Sequence, residues 1–288
     1  MGLSADGRKL AYGEENLMLY NRNTGQSVPL LKTIDGAPPD GEIFGPVFAA
    51  NGDIAFTSRA GNLVPGDDNE TYDVFVWDSS TNAVERVSVA ADGVPANDDS
   101  GAILFHEGAI AAVDISNNGR FVAFASMAAN LTADPIQSCQ DYRGYERTCI
   151  NIFIHDRETG ETWLVTQNSN GDSPQLALSG DGRSLAFSSV ADNLTPDAPA
   201  CDDLPVPVNC GHIYLYDVET GDISLIDKTP DGRAGNGVSL HPAVSADGRI
   251  ILFASTADNL VPGDTNRQQD IFLYNWDTGQ MERVSLTN

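Results

Sequence analysis

Short apolar runs separated by turns rich in glycine, aspartate and asparagine fill the chain, and none keeps helical spacing for long. Strands are therefore the predicted elements throughout. The runs recur as a set. A small-residue turn comes first, at residues 4–8, 50–52, 116–120, 179–183 and 245–249, with Asn-Gly or Asp-Gly in every copy. Both residues tolerate positive φ, so this is a strong short-range hairpin signal. A strand follows at once, over residues 9–12, 53–56, 121–124, 184–187 and 250–253, and ends on Tyr12, Phe56, Phe124, Phe187 or Phe253. A small side chain followed by an aromatic one at fixed positions is what interlocking sheet faces require.

A third predicted strand lies in a line of ten residues at 16–25, 73–82, 151–160, 212–221 and 270–279, and ends in a tight turn. The fourth covers residues 27–31, 84–88, 162–166, 223–227 and 281–285. In two copies it alternates charge with apolarity, Glu85 to Ser88 and Glu282 to Ser285, as an outer edge strand should. Four short antiparallel strands repeated five times make blades that must share a core with their neighbours. The expected fold is an all-β β-propeller of five four-stranded blades, one domain over residues 1–288, with blades near 1–32, 42–90, 109–167, 173–227 and 240–288. A five-bladed ring would need Met1 to Leu3 as a short inner strand of the first blade, and a longer parent protein would instead supply a further blade.

Composition narrows the partners. Acidic residues outnumber basic ones 41 to 16, a formal charge of −25 that repels phosphate backbones and anionic lipid surfaces. Nucleic acid is excluded as a partner, and no apolar stretch is long enough for membrane insertion by a helix. Residues 1–15 contain no signal peptide, so the sequence predicts an export signal already removed, or a piece of a longer secreted polypeptide. Cys139 with Cys149 and Cys201 with Cys210 lie as close pairs at the same place in consecutive repeats, which predicts two local disulfides and an oxidising compartment: extracellular, cell surface or periplasm.

The series Ser245, Asp247, Gly248 and Arg249, then Asn259 to Asn266, then Asp270 to Phe272, then Glu282 to Ser285 resembles the WD-repeat-like propeller modules of the Tol-B-like family of bacterial exported proteins. The resemblance runs over nearly the whole chain and implies a propeller that binds partners, with some relatives carrying enzymes on the same fold. It therefore bears on architecture more than on activity.

Candidate chemistry sits between the second and third strands. Asp67, Asn69 and Asp73 in the second copy, and Asp264, Asn266 and Asp270 in the fifth, place oxygen side chains at positions one, three and seven of a loop. That spacing suits a calcium ion completed by carbonyls and water. It equally suits asparagine and aspartate capping their own turns. In the third and fourth copies the same excursion is longer and carries the cysteine pairs.

Of the histidines, His155 stands in the column of Tyr20, Trp77, Tyr216 and Tyr274, His212 begins a third strand, and His241 precedes Pro242 on an inner strand. His241 has the most plausible active-site address, although no partner is assignable from spacing, and His106 has no assigned role. The acidic pairs Asp98–Asp99 and Asp202–Asp203 read as solvated loops. The sequence thus predicts a non-catalytic binding or assembly module displaying rigid loops to a protein or extracellular glycan, with calcium as its expected cofactor. A polysaccharide lyase or hydrolase using the propeller channel is the first alternative, and a periplasmic adaptor like Tol-B the second.

Overall fold

The computed structural model describes residues 1–13, 15–105, 108–140, 144–198, 211–266 and 268–285. Cys201, Cys210, His106, Asp202 and Asp203 lie outside the described residues. Two compact units make up the chain, Met1–Asp134 with Ile152–Leu164, and Pro135–Asn151 with Val165–Asn288.

The first unit holds three four-stranded antiparallel sheets. They are β1 (Gly2–Leu3), β2 (Lys9–Gly13), β3 (Leu17–Asn21) and β4 (Gln26–Pro29); β5 (Ile43–Phe48), β6 (Ile54–Ser58), β7 (Asp73–Trp77) and β8 (Val84–Arg86); and, after the hairpin β9 (Ala102–Phe105) with β10 (Gly108–Ala111), β11 (Val113–Ile115), β12 (Phe121–Ser126), β15 (Asn151–Asp156) and β16 (Glu161–Leu164). The second unit has a hairpin, β13 (Ser138–Gln140) with β14 (Glu146–Thr148), and two sheets. These are β17 (Gln175–Leu178), β18 (Ser184–Ser189), β19 (His212–Asp217) and β20 (Ile223–Leu225), then β21 (Ser239–Val244), β22 (Ile250–Ser255), β23 (Asp270–Asn275) and β24 (Gln280–Arg283). All five sheets are meanders in which each strand pairs with the next of its set. The expected short inner strand forms, with Gly2 opposite Ala11 and Leu3 opposite Leu10.

Strand alternation gives each sheet two unlike faces. One is aromatic: Phe56 lies opposite Phe75, Phe187 opposite Tyr214, and Phe253 opposite Phe272, with ring centroids 5.5–5.7 Å apart. The first sheet sets Tyr12 opposite Met18 at this place. The other face carries the alanine column Ala11, Ala55, Ala123 and Ala186, where the fifth sheet has Leu252. Ala11 and Leu17 of the first sheet pack with Ile54, Phe56 and Phe75 of the second, and Ala186, Ile213 and Ile226 of the fourth with Ile251, Phe253 and Phe272 of the fifth. At these two seams the small-residue face of one sheet takes the aromatic face of the next. Each buried phenylalanine contributes about 1.5–3 kcal/mol by leaving water.

Polar contacts reinforce the seam between the second and third sheets. Arg157 Nη1 donates to Asp53 Oδ2 at 2.9 Å and to the Gly119 carbonyl at 2.6 Å, and its Nε pairs with Glu85. Gly119 has φ +75°, and a Cβ there would lie 2.6 Å from both Asn51 Nδ2 and Asp53 Oδ2, so this turn needs glycine for approach as well as for backbone angle. A second recurrent tie joins each incoming loop to its own sheet. Asn62, Asn130, Asn193 and Asn259 donate Nδ2 to the carbonyls of Pro38, Pro95, Asn168 and Ala234, and their Oδ1 atoms accept from the amides of Asp40, Asn97, Asn170 and Asn236. The side-chain amide stands in for a strand's backbone, which explains why asparagine precedes leucine in all four excursions.

Candidate functional site

Asp67, Asn69 and Asp73 do come together in the loop between β6 and β7. Asn69, however, presents nitrogen to the acids. Its Nδ2 donates to Asp73 Oδ2 at 2.8 Å and to the Ala96 carbonyl at 3.0 Å, while Oδ1 accepts from the Thr71 amide at 3.2 Å. The positive charge between the acids comes from Arg86 at the end of β8, whose Nη1 is 2.8 Å from Asp67 Oδ1 and 3.5 Å from Asp73 Oδ2. Its Nη2 donates to the Gly66 carbonyl at 3.2 Å.

The fifth sheet repeats this arrangement. Arg283 Nη1 lies 2.7 Å from Asp264 Oδ1 and 3.5 Å from Asp270 Oδ2. Asn266 donates Nδ2 to Asp270 Oδ2 at 3.0 Å and accepts from the Gln268 amide at 2.8 Å. A calcium cage needs six to eight oxygens. Here each asparagine oxygen closes its own turn and a guanidinium faces both carboxylates, so both loops fold as asparagine-capped turns around an internal ion pair.

The remaining sheets use the same register position with other chemistry. A residue at the start of the third strand is tied to one fifteen positions later: the hydroxyls of Ser88 and Ser285 donate to Asp73 and Asp270, Thr166 Oγ1 donates to Asn151 Oδ1 at 2.8 Å, and His212 Nδ1 lies 2.9 Å from Asp227 Oδ2. The predicted Cys139–Cys149 disulfide is present, across the β13–β14 hairpin. Arg147 forks onto both oxygens of Asp172 beside it, and Asp172 Oδ1 also accepts from the Ile150 amide at 2.8 Å. In the chain-entropy model, closing so short a ring contributes about 3 kcal/mol. Among the described residues, Cys139, Cys149 and Asp172 are the one group of three His, Cys, Asp or Glu side chains close enough to share a metal ion, and both sulfurs are bonded to each other.

The two arginine-centred loops differ in electrostatics. Burial, seconded by the charge of Asp73, pushes Asp67 up to about 6, and burial raises Asp73 as well. In the fifth sheet the Ser285 hydroxyl instead holds Asp270 below the usual carboxylate range. An acid raised from 3.8 to about 6 binds its proton more tightly in the folded state, so its contribution to stability falls as pH rises through that window. Asp67→Asn is accordingly expected to melt above the wild type at pH 7.5, with the difference shrinking at pH 4.5. An equal difference at both values, by calorimetry, would remove this account of Asp67.

The histidines separate into packed and exposed. His155 is buried in its aromatic column, accepts or donates through Nδ1 with Thr162 Oγ1 at 2.9 Å, and is driven by burial down to about 4, so it stays neutral at physiological pH. His212 is buried against Asp227. His241 is exposed and has φ +56°, at a β-bulge between Leu240 and Ala243 where the second sheet has Gly45 at φ +65° and likewise a following proline. A side chain in left-handed backbone at a bulge is costly and marks a position worth chemical scrutiny. The His241 amide donates to Gln175 Oε1 at 2.8 Å, which orients that carboxamide so that Nε2 faces His241 Nδ1 at 3.2 Å. Nδ1 must therefore accept, and the ring's proton stands on Nε2.

Spacing within a single copy missed Arg86, Arg283 and the bridging asparagines. Comparison between copies carries the signal, because arginine occupies that strand-four position only in the two copies that have the aspartate ladder.

No protein-family model and no curated protein matches the chain. Solved structures do. An oligogalacturonate lyase in complex with manganese superposes with a TM-score of 0.53 at 15% identity, over 98% of this chain and 63% of that one. An oligogalacturonate lyase from Vibrio parahaemolyticus gives 0.53 at 12%, over 98% and 63%, and the tricorn protease 0.55 at 14%, over 96% and 26%. The fold is that of a β-propeller. At these identities the likeness concerns fold alone, and the chain spans less than two thirds of each of these longer proteins. The disulfide is consistent with a propeller that matures in an oxidising compartment, and no helix among the described residues is long and apolar enough to cross a membrane.

Proposed function

We propose that this chain is an exported, non-catalytic recognition module whose five sheets are propeller blades and whose loops between the second and third strands meet a protein or glycan partner outside the cytoplasm. The observation that carries this reading is that these loops are locked from within, by Arg86 and Arg283 in two sheets and by Cys139–Cys149 with Arg147–Asp172 in a third. A loop already fixed loses little ordering entropy when a partner docks. Calorimetric screening against extracellular glycans and peptides is expected to find binding without turnover, weakened by charge substitution at exposed loop positions such as Asp68. Product formation from any bound glycan would overturn the non-catalytic reading.

The arginines also bear on calcium. In our reading they fill the role first expected of the ion, so the melting temperature should be the same in millimolar calcium and in chelator; a rise with calcium would restore the cation site at Asp67, Asn69, Asp73, Asp264, Asn266 and Asp270.

A second reading is a glycan-cleaving enzyme, favoured by the strained, exposed His241 with its tautomer set by Gln175, and by the likeness to oligogalacturonate lyases. A lyase leaves a carbon–carbon double bond, so incubation with oligogalacturonate and manganese would show rising ultraviolet absorbance, abolished by His241→Ala. No absorbance change would leave the binding reading in place.

A further inference from the structure

The fifth sheet leaves open a face whose counterparts elsewhere are covered. Leu252, Ile271 and Val284 are 37%, 41% and 47% exposed, and they share one face of β22, β23 and the segment after β24. In the fourth sheet the same register positions are Ala186, Ile213 and Ile226, all buried. What covers them is known: the aromatic face of the fifth sheet, Phe253 with Phe272 at its centre. The first sheet's small-residue face is covered in the same way by Phe56 and Phe75 of the second.

Scattered surface leucines need no explanation, but long apolar side chains in register on neighbouring strands form a patch. A repeat that ends an array in water carries polar residues on its outer face instead. We infer that this face of the fifth sheet is a docking surface for the aromatic face of a further four-stranded sheet of the same repeat, one with Phe or Tyr at the end of its second strand and another aromatic opposite on its third. The surface continues a seam that the molecule already makes twice, so the occupant follows from that seam's chemistry and is independent of what the loops bind.

The test compares the 288-residue chain with an extended one in which a second copy of residues 228–288 follows Asn288. Ile271→Cys in the original repeat is placed in both, and its thiol is titrated with maleimide while the native disulfide stays oxidised. The expected result is rapid labelling in the 288-residue chain, about tenfold slower labelling in the extended chain, and a melting temperature about 5 °C higher in the latter. Equal labelling of the two chains, with the extended chain folded by near-ultraviolet dichroism, would overturn the inference.

So would a thiol already protected in the 288-residue chain. Sedimentation would then assign the face to a second copy if protection tracked dimerisation, or to the chain's own closure if it stayed monomeric. Should the extended chain misfold, Leu252→Lys with Ile271→Lys in the 288-residue chain gives an independent reading. An uncovered face tolerates the charges within about 2 °C, whereas a large loss of stability means the face is already packed and the inference fails.

Discussion

Replacing Arg86 with alanine is expected to lower stability by about 3–5 kcal/mol, because it strands the buried carboxylates of Asp67 and Asp73 beside each other without a counter-charge. For a chain of this size that corresponds to a fall in Tm of roughly 10 °C. The loss should be largest at neutral pH and smaller near pH 5, where Asp67, pushed up to about 6, takes up its proton and the uncompensated charge falls; Asp73 is raised in the same direction by its burial. Arg283→Ala should lose less, because Arg283 is more exposed than Arg86 and Asp270 is held below the usual carboxylate range whereas burial raises Asp73. Thermal melts of the two variants at two pH values check this. Equal losses, or a loss at position 86 that ignores pH, would show that the ion pair is not what holds the loop.

The second large effect concerns the aromatic column. Phe75→Ala should cost about 3–5 kcal/mol, since the ring is wholly buried between sheets and the cavity cannot collapse into a rigid seam. Met18→Ala occupies the matching position in the first sheet, where the side chain is only half-buried, and should cost about 1 kcal/mol. Urea unfolding of both measures the contrast. A similar cost at both sites would mean that the two columns are equally packed in solution, contrary to the exposure seen here.

Much of this architecture was legible because it rests on periodicities the chain repeats. Alternation along the strands, glycine in the turns and an aromatic at the end of each second strand gave the strand order, and the loop position of Cys139 and Cys149 gave their bond. Long-range pairing was harder to see. Arg86 and Arg283 read as part of an alternating edge strand, yet each reaches an aspartate nineteen residues earlier that only the folded hairpin brings near. Asn69 and Asn266 have the right spacing for a metal ligand, and spacing says nothing about which end of a carboxamide faces inward. His241 stood out by its place on an inner strand, but its left-handed backbone and its grip by Gln175 depend on a bulge that no residue pattern announces.

The loops are secured by two chemistries with separate vulnerabilities. Concentrated salt screens the buried arginine pairs of the second and fifth sheets little and leaves the sulfur bridge of the third intact, while a thiol reductant opens that bridge and leaves the arginine pairs in place. No single change of surroundings releases all three together, so a partner that touches several of them retains part of its landing ground in either environment.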